Sequence, residues 1–425
     1  MMNKKIFLAV GIFIFLFFLI WNPVGNAQEK IQIGAVFPQT GPLAFSGMRA
    51  LQGATAAKDL INKRGGVLGR QVEFIVTDAP DSTTAANEAE RLITFNKVRV
   101  LVGSFSSSIS MAASPVANRH GAIYWETGAA ADDVTGRGLK YVFRTITRIS
   151  NQGNTGAEYA VNVLAAKCGI AKQNLVVGTM YEDGPFGVGM GTAAAKRVEE
   201  LGAKLAFDES YTAAKAIDFS TAILKLKDRK VDILVHSGHV NDTILFWRQS
   251  KLQGLNLKAV IGTGAAYSEV DTWKALGKDF EGALNAVPTT SECINKNALS
   301  PDTQKLLEEY KDYLKAKGWE NSSNTEWAFT GTWFLLKGVL PAAGYPLNPD
   351  AIRKAAFQVE IPSEQSITGY GYKLVGEGQP HPQQNARAIV VIQQWQAGKL
   401  ETVYPENVAT AKPIMIPLLP WDKRK

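Results

Sequence analysis

The sequence predicts an α/β protein built as two lobes, each a doubly wound, largely parallel sheet flanked by helices. Short apolar runs alternate with helical patterns from Ile31 to Gly262, which is the βα rhythm of a parallel sheet. These units are too many for one comfortable sheet. The chain has 425 residues, 46% hydrophobic and 20% charged, enough apolar material for two cores at the usual domain size.

Taken in order, the first residues stand apart from the fold. Lys4 and Lys5 precede an apolar run of 16 residues, Ile6–Trp21, and Asn22 to Ala27 ends in small residues spaced like a signal-peptidase site. A spanning helix needs about 18 or more apolar residues, so cleavage near Ala27 is expected, an uncleaved anchor being the alternative. No cysteine lies near this site, which excludes a lipid-anchored form.

Ile31–Phe37 then reads as a strand, Met48–Lys63 as a helix stopped by Gly65-Gly66, and Gln71–Thr77 as a strand. Thr83–Asn96 is an amphipathic helix and Val98–Val102 a buried strand. Further strands are predicted at Gly121–Trp125, Asn174–Met180, Val231–His236 and Lys258–Gly262, with helices at Ile109–Arg119, Val188–Leu201 and Asp242–Gln253. Pro301–Lys317 and Thr325–Val339 read as helices and Ala386–Gln394 as a strand. Pro413, Pro417 and Pro420 forbid a regular helix in the tail. The chain is expected to cross between lobes near 143–150 and 282–288. The expected division is 1–27 signal peptide, 28–148 with 282–380 first lobe, 149–281 with 381–405 second lobe, and 406–425 extended tail.

Composition narrows the function. The net charge of +7 falls to +5 without Lys4 and Lys5, and the positive residues are dispersed rather than clustered with aromatics. Nucleic-acid binding is therefore not expected; mild basicity suits solubility or an acidic docking partner. Cys168 and Cys293 are the only cysteines, and their spacing decides nothing about pairing.

In open α/β sheets, ligands bind beyond the carboxyl ends of strands, where strand order reverses. Gly103-Ser104-Phe105-Ser106-Ser107-Ser108 follows a strand and opens a helix, so its free N–H groups and hydroxyls suit a carboxylate; simple helix capping is the equal alternative. Glu126-Thr127-Gly128-Ala129-Ala130-Ala131 has small side chains that let a ligand approach the backbone, or is an ordinary tight connection. Tyr181 to Gly187 offers Tyr181, Asp183 and Phe186 beside a helix start, where acids also simply favour the helix dipole. His236 and His239 lack the further ligands of a zinc site, so His239 is read as pocket-lining. No metal or cofactor is expected. H-E-x-x-H, G-x-S-x-G and P-loop patterns are missing, which leaves a hydrolase using Ser107 with His120 or His239 as a weak competitor.

Ile33–Gly47, then Gly53, Ala54 and Asp59, Ile61 to Gly69, and Asp78 form an ordered set. It continues through Leu101-Val102-Gly103, Tyr141 to Thr145, Tyr181 to Gly187, Asp218-Phe219-Ser220 and Pro420-Trp421-Asp422. This succession resembles the substrate-binding proteins of ABC importers for branched-chain amino acids and related solutes, along essentially the whole mature chain. The resemblance implies a type I periplasmic binding protein fold with a multi-strand hinge, no enzymatic activity, a periplasmic location and a monomer docking on a membrane permease. A ligand sensor is the alternative use of the same clamp.

It also implies a site. Ser107 would hold the ligand carboxylate, with Gly128, Ala129 and Ala130 supplying a second set of contacts, and Ala130 standing where leucine-binding members carry threonine. Phe186 and His239 would close from the second lobe. Phe45, Ser46, Phe105, Ser106, Tyr181, Asp183 and Ala265 complete the expected lining, with Trp125 as a further aromatic. Amino-acid-binding members place an acid after the strand matching Lys258–Gly262, but this chain reads Thr263-Gly264-Ala265-Ala266. Glu126 or Asp183 would have to replace it. Branched-chain amino acids, other small carboxylates including aromatic acids, and amide- or urea-like solutes all remain open as ligands.

Overall fold

β-branched and apolar residues concentrate in short runs, and these form the sheets. A computed structural model describes residues 29–215 and 217–424; the expected signal segment 1–27 lies outside them. Ile31–Phe37 (β1), Val72–Asp78 (β2), Val100–Gly103 (β3), Ile123–Glu126 (β4) and Val142–Arg144 (β5) make one sheet in the order β2-β1-β3-β4-β5, parallel throughout. Ala44–Lys63 (α1), Ser82–Thr94 (α2) and Ser107–Arg119 (α3) connect its strands. Asp81 caps α2 by accepting the Thr84 N–H at 2.8 Å.

After β5 the chain passes to a second sheet. Ile149–Tyr159 (α4) leads to Val176–Glu182 (β6), Pro185–Glu200 (α5), Lys204–Tyr211 (β7), Ser220–Asp228 (α6), Ile233–Ser237 (β8), Val240–Leu252 (α7), Ala259–Thr263 (β9) and Leu284–Pro288 (β10). The order β10-β9-β8-β6-β7 is again parallel. Counted within its own sheet, it repeats the arrangement of the first. Pro301–Lys317 (α8), Ser323–Trp333 (α9) and Pro349–Gln358 (α10) follow, and α9 lies on α1. A side chain at Gly53 of α1 would stand 1.9 Å from the Thr325 carbonyl, so only glycine lets these two helices touch. Val390–Gln396 (β11) and Lys399–Tyr404 (β12) then add antiparallel to β10.

The predicted strands are present, but several extend one or two residues further at their carboxyl ends. β4 reaches Glu126 and β6 reaches Glu182, because these acids still sit in register beside Arg144 and Tyr211. Leu284–Pro288, expected near a crossing, is a full strand of the second sheet, so the chain returns only after Pro288. The helix predicted to Val339 ends at Trp333 and continues as a π-turn over Phe334–Val339. Residues Lys412–Arg424 run along the second lobe: the Leu418 N–H donates to the Lys258 carbonyl and the Trp421 indole N–H to the Leu255 carbonyl, each at 2.7 Å. One 3₁₀ turn, Trp421–Lys423, interrupts the extended path. Cys293 is buried, Cys168 half-buried, and both are free thiols. No helix among the described residues is long and apolar enough to cross a membrane.

Candidate functional site

Strand order reverses between β1 and β3 in the first sheet and between β6 and β8 in the second. Such reversals open a crevice because the neighbouring connections leave to opposite faces. The two crevices meet in one cleft of about 540 Å³, counted out to its mouth.

The first lobe lines it with Leu43, Phe105, Ser106, Ser107, Ser108, Gly128, Ala130 and Ile146, joined by Asn324 and Trp327 from α9. Ser106 is the N-cap residue of α3, yet its side chain makes no capping bond. The first N–H groups of α3 thus point at the cleft with the positive end of the helix dipole. The Ser107 hydroxyl oxygen accepts the Ala131 N–H at 3.0 Å, which leaves its proton to donate to a ligand. Phe105 holds a left-handed backbone, φ +80°. A bulky residue keeps that conformation only where its surroundings impose it.

What imposes it is Glu126, wholly buried at the end of β4. Its carboxylate accepts the N–H groups of Ser104 at 2.7 Å, Gly128 at 2.6 Å and Ala129 at 2.7 Å, and also the Ser110 hydroxyl. One side chain therefore ties the serine loop to the Gly128–Ala131 loop. The contact is close enough that a Cβ at Gly128 would lie 2.9 Å from the Phe105 Cα. From the other side, buried Arg144 donates to the Ala130 carbonyl at 2.8 Å and to the Ala131 carbonyl. Burial pulls this guanidinium down to about 10.

The second lobe contributes Gln152, Glu182, Phe186, His239 and Gly264. Glu182 accepts the Gly184 N–H at 2.6 Å and the Gly187 N–H at 2.7 Å, which fixes the turn into α5. Phe186 stacks on His239 with ring centroids 6.3 Å apart. The Gln152 Nε2 donates to Thr147 Oγ1 at 3.2 Å, while its Oε1 is buried without a partner. The lobes also touch beside the cleft: Asn324 Nδ2 donates to Glu269 Oε1 at 2.5 Å. Burial raises the Glu269 carboxyl to about 7.

Seven of the expected lining residues meet in this cleft: Phe105, Ser106, Ser107, Gly128, Ala130, Phe186 and His239. The others lie elsewhere. Phe45 is 38% exposed, with the Arg49 guanidinium 5.4 Å from its ring centroid, and Leu43 lines the cleft near it. Ser46 is buried in the first turn of α1, and Ala129 is buried behind Gly128 with its N–H on Glu126. Tyr181 faces α5, where a Cβ at Gly191 would strike its ring. Asp183 is held to the neighbouring strand edge by the Thr212 hydroxyl at 2.5 Å. Trp125 is core, its indole N–H donating to the Gly331 carbonyl at 2.8 Å. Ala265 opens the short helix Ala265–Ser268, and its side chain lies outside those described.

His120 sits at the far end of α3 from Ser107, roughly 20 Å along a 13-residue helix, and pairs with Glu90 at 2.7 Å. It cannot serve Ser107 as a base. His236 is core, held neutral by burial that lowers it to about 3. No group of three metal-ligating side chains occurs among the described residues.

Sequence reasoning missed Glu182 and Gln152 as lining and Glu126 as the organiser. The two acids carry a usable signal: each ends a strand and is followed within two residues by glycine. Leu43, Asn324 and Trp327 carry none, because only packing brings α1 and α9 to the cleft. A second, open hollow lies between Ser268, Glu292, Glu326 and the β11–β12 turn. Its acids are already engaged, Glu326 by Ser291 and Asn321, Glu292 by Lys311 and Glu401 by the Thr410 hydroxyl.

A family profile described as periplasmic binding protein matches residues 30–403. The Leu/Ile/Val-binding protein homolog 8 of Brucella abortus is 32% identical over 386 residues, 91% of this chain and 93% of that one. Among solved structures, the branched-chain amino acid transporter substrate binding protein LivJ of Streptococcus pneumoniae, in complex with isoleucine, superposes with a TM-score of 0.73. It is 22% identical over 89% of this chain and 100% of that one. A solute binding protein of an ABC transporter from R. palustris, in complex with 4-hydroxybenzoate, gives a TM-score of 0.72 at 20% identity, covering 91% and 98%.

Proposed function

This chain belongs to the periplasmic binding protein family, and on that premise we propose that it is the extracytoplasmic, solute-capturing component of an ABC importer, holding a small carboxylate-bearing solute between its lobes. It binds its solute and is not an enzyme. The observation that carries the ligand reading is the donor wall of the first lobe. The start of α3 and the Ser107 hydroxyl face the cleft with no basic side chain among the described lining residues on that wall. Neutral donors aimed at one point recognise a carboxylate through backbone geometry rather than bulk charge.

Closure follows from the connections. Residues 145–148, 289–290 and 385–389 join the lobes, and we place the hinge in them. Asn385 donates its side-chain amide to the Thr145 carbonyl at 2.8 Å, which keeps two of these segments side by side. A ligand shifts the open–closed equilibrium by its differential affinity for the closed form, and the closed form docks on the permease. The signal-like segment ending at Ala27 supports delivery to a periplasm.

Branched-chain amino acids are the first ligand reading, supported by the Brucella relative. Aromatic acids are the second, supported by the Phe105, Phe186, His239 and Trp327 rings around the cleft and by the 4-hydroxybenzoate complex. A thermal-shift screen of the mature protein against leucine, isoleucine, valine, 4-hydroxybenzoate and simple amides tests both. A rise in melting temperature with a carboxylate is the expected result. A rise with neutral amides alone would overturn the carboxylate reading.

A further inference from the structure

The lobes also meet beside the cleft through charge, and the second lobe's share comes from one short helix. Val270–Leu276 lies between β9 and β10, with Asp271 in its first turn and Lys274 in its last. Acid at the amino end and base at the carboxyl end suit the helix dipole, and three-residue spacing puts both on one face. The first lobe answers with Arg49, in the second turn of α1, and Glu320, between α8 and α9.

Within the first lobe, Arg49 donates to the Glu320 carboxylate at 3.0 Å and to its backbone carbonyl at 3.4 Å. Glu320 is thus fixed by its own lobe. Across the boundary, the Lys274 ammonium donates to Glu320 at 2.6 Å, and the Arg49 guanidinium stands 3.8 Å from the Asp271 carboxylate. The four alternate in sign as Asp271, Arg49, Glu320 and Lys274, and each lobe supplies one charge of each kind.

A lone surface pair contributes little, because two long side chains must be ordered to form it. Here the Arg49 side chain is only 15% exposed and already lies against Glu320 and the Phe45 ring, so less freedom is lost where the lobes meet. The bond from Lys274 holds the Glu320 carboxyl below the usual carboxylate range, and Glu320 in turn raises the Lys274 ammonium. Both stay charged at neutral pH, so salt rather than pH is what weakens them.

We propose that Asp271, Arg49, Glu320 and Lys274 form an electrostatic latch that favours the closed arrangement of the lobes before any solute arrives. The bond from Asn324 to Glu269, the residue preceding the Val270–Leu276 helix, joins the lobes at the same place. The apparent affinity for every solute then rises with the fraction of protein already closed, whatever that solute's chemistry. The latch rests on the hinge closure proposed above and on no particular solute, so it is tested on the solute-free protein.

The experiment is small-angle X-ray scattering of the mature protein. Raising NaCl from about 20 mM to about 500 mM shortens the screening length from roughly 20 Å to roughly 4 Å, and the radius of gyration of the wild type should increase. Lys274→Glu, which sets an acid against Glu320 and Asp271, should give the larger radius already at low salt. Adding Glu320→Lys restores an opposite pair across the boundary and should bring the radius back toward the wild-type value. Lys274 and Glu320 are each about half exposed, so the variants should melt like the wild type; Lys274→Gln, with a smaller increase in radius, decides the matter if Lys274→Glu does not fold. A radius unchanged by Lys274→Glu overturns the latch, and hinge closure stands without it where L-leucine or 4-hydroxybenzoate contracts the wild type. A double variant as expanded as Lys274→Glu also overturns the latch, because the two positions then do not pair.

Discussion

The two lobes share one strand order, yet they present opposite chemistry to the cleft. In each, a glutamate at the carboxyl end of a strand gathers the N–H groups of the next loop. Glu126 does so wholly inside the first lobe, taking four amides, those of Ser104, Phe105, Gly128 and Ala129, and the hydroxyls of Ser104 and Ser110. What that lobe has left to offer is donors: the start of α3 and the Ser107 proton. Glu182 takes only two amides and stays on the cleft wall beside the Gln152 amide. The second lobe therefore offers a carboxylate. Topology decided where a ligand can sit, and the burial of one carboxylate in each lobe decided the sign of what meets it.

Removing the two acids should separate these roles. Glu126→Leu strands four buried or part-buried amides, each costing up to about 1–3 kcal/mol. A loss of about 4 kcal/mol of stability by denaturant unfolding is expected, with the serine loop released. Glu182→Leu strands two, and should cost about 2 kcal/mol. If Glu182→Leu proves the more destabilising, the contrast between an internal brace and a wall residue fails.

Ser107→Ala sharpens the donor side. It should weaken carboxylate binding by about 1–3 kcal/mol by calorimetry, with a smaller change in stability because only the Ala131 N–H loses a partner. Unchanged affinity would remove Ser107 from the anion pole.

The smallest expected effect concerns the contact between the lobes. Burial, opposed by the Asn324 bond and by Arg49 and reinforced by Asp271 and Glu320, raises Glu269 from 4.5 to about 7. Its donor Asn324 belongs to the first lobe, and the folded chain buries a carboxyl that prefers to be protonated. The favourable contribution is present below pH 4.5 and is lost as pH rises through 7. Stability to denaturant should therefore fall between pH 5 and pH 8, and Glu269→Gln should flatten that profile. A profile that stays steep in Glu269→Gln would place the titration elsewhere.

The sequence by itself determined the alternation of strands and helices, the doubling into two lobes, and the serine loop at a helix start. These follow from local periodicity and from which residues begin helices, and neither needs a partner element. Only the tertiary structure decided which side chains reach the cleft. Successive residues of a strand point to opposite faces, so a strand that runs on to Glu182 instead of stopping at Met180 puts Glu182 on the wall and leaves Tyr181 under α5. Gln152 depends on how closely α4 approaches α5, and Trp327 on how α9 settles on α1 through Gly53. The position of a side chain at a lobe boundary is set by contacts between segments tens to hundreds of residues apart, and no pattern along the chain encodes that distance.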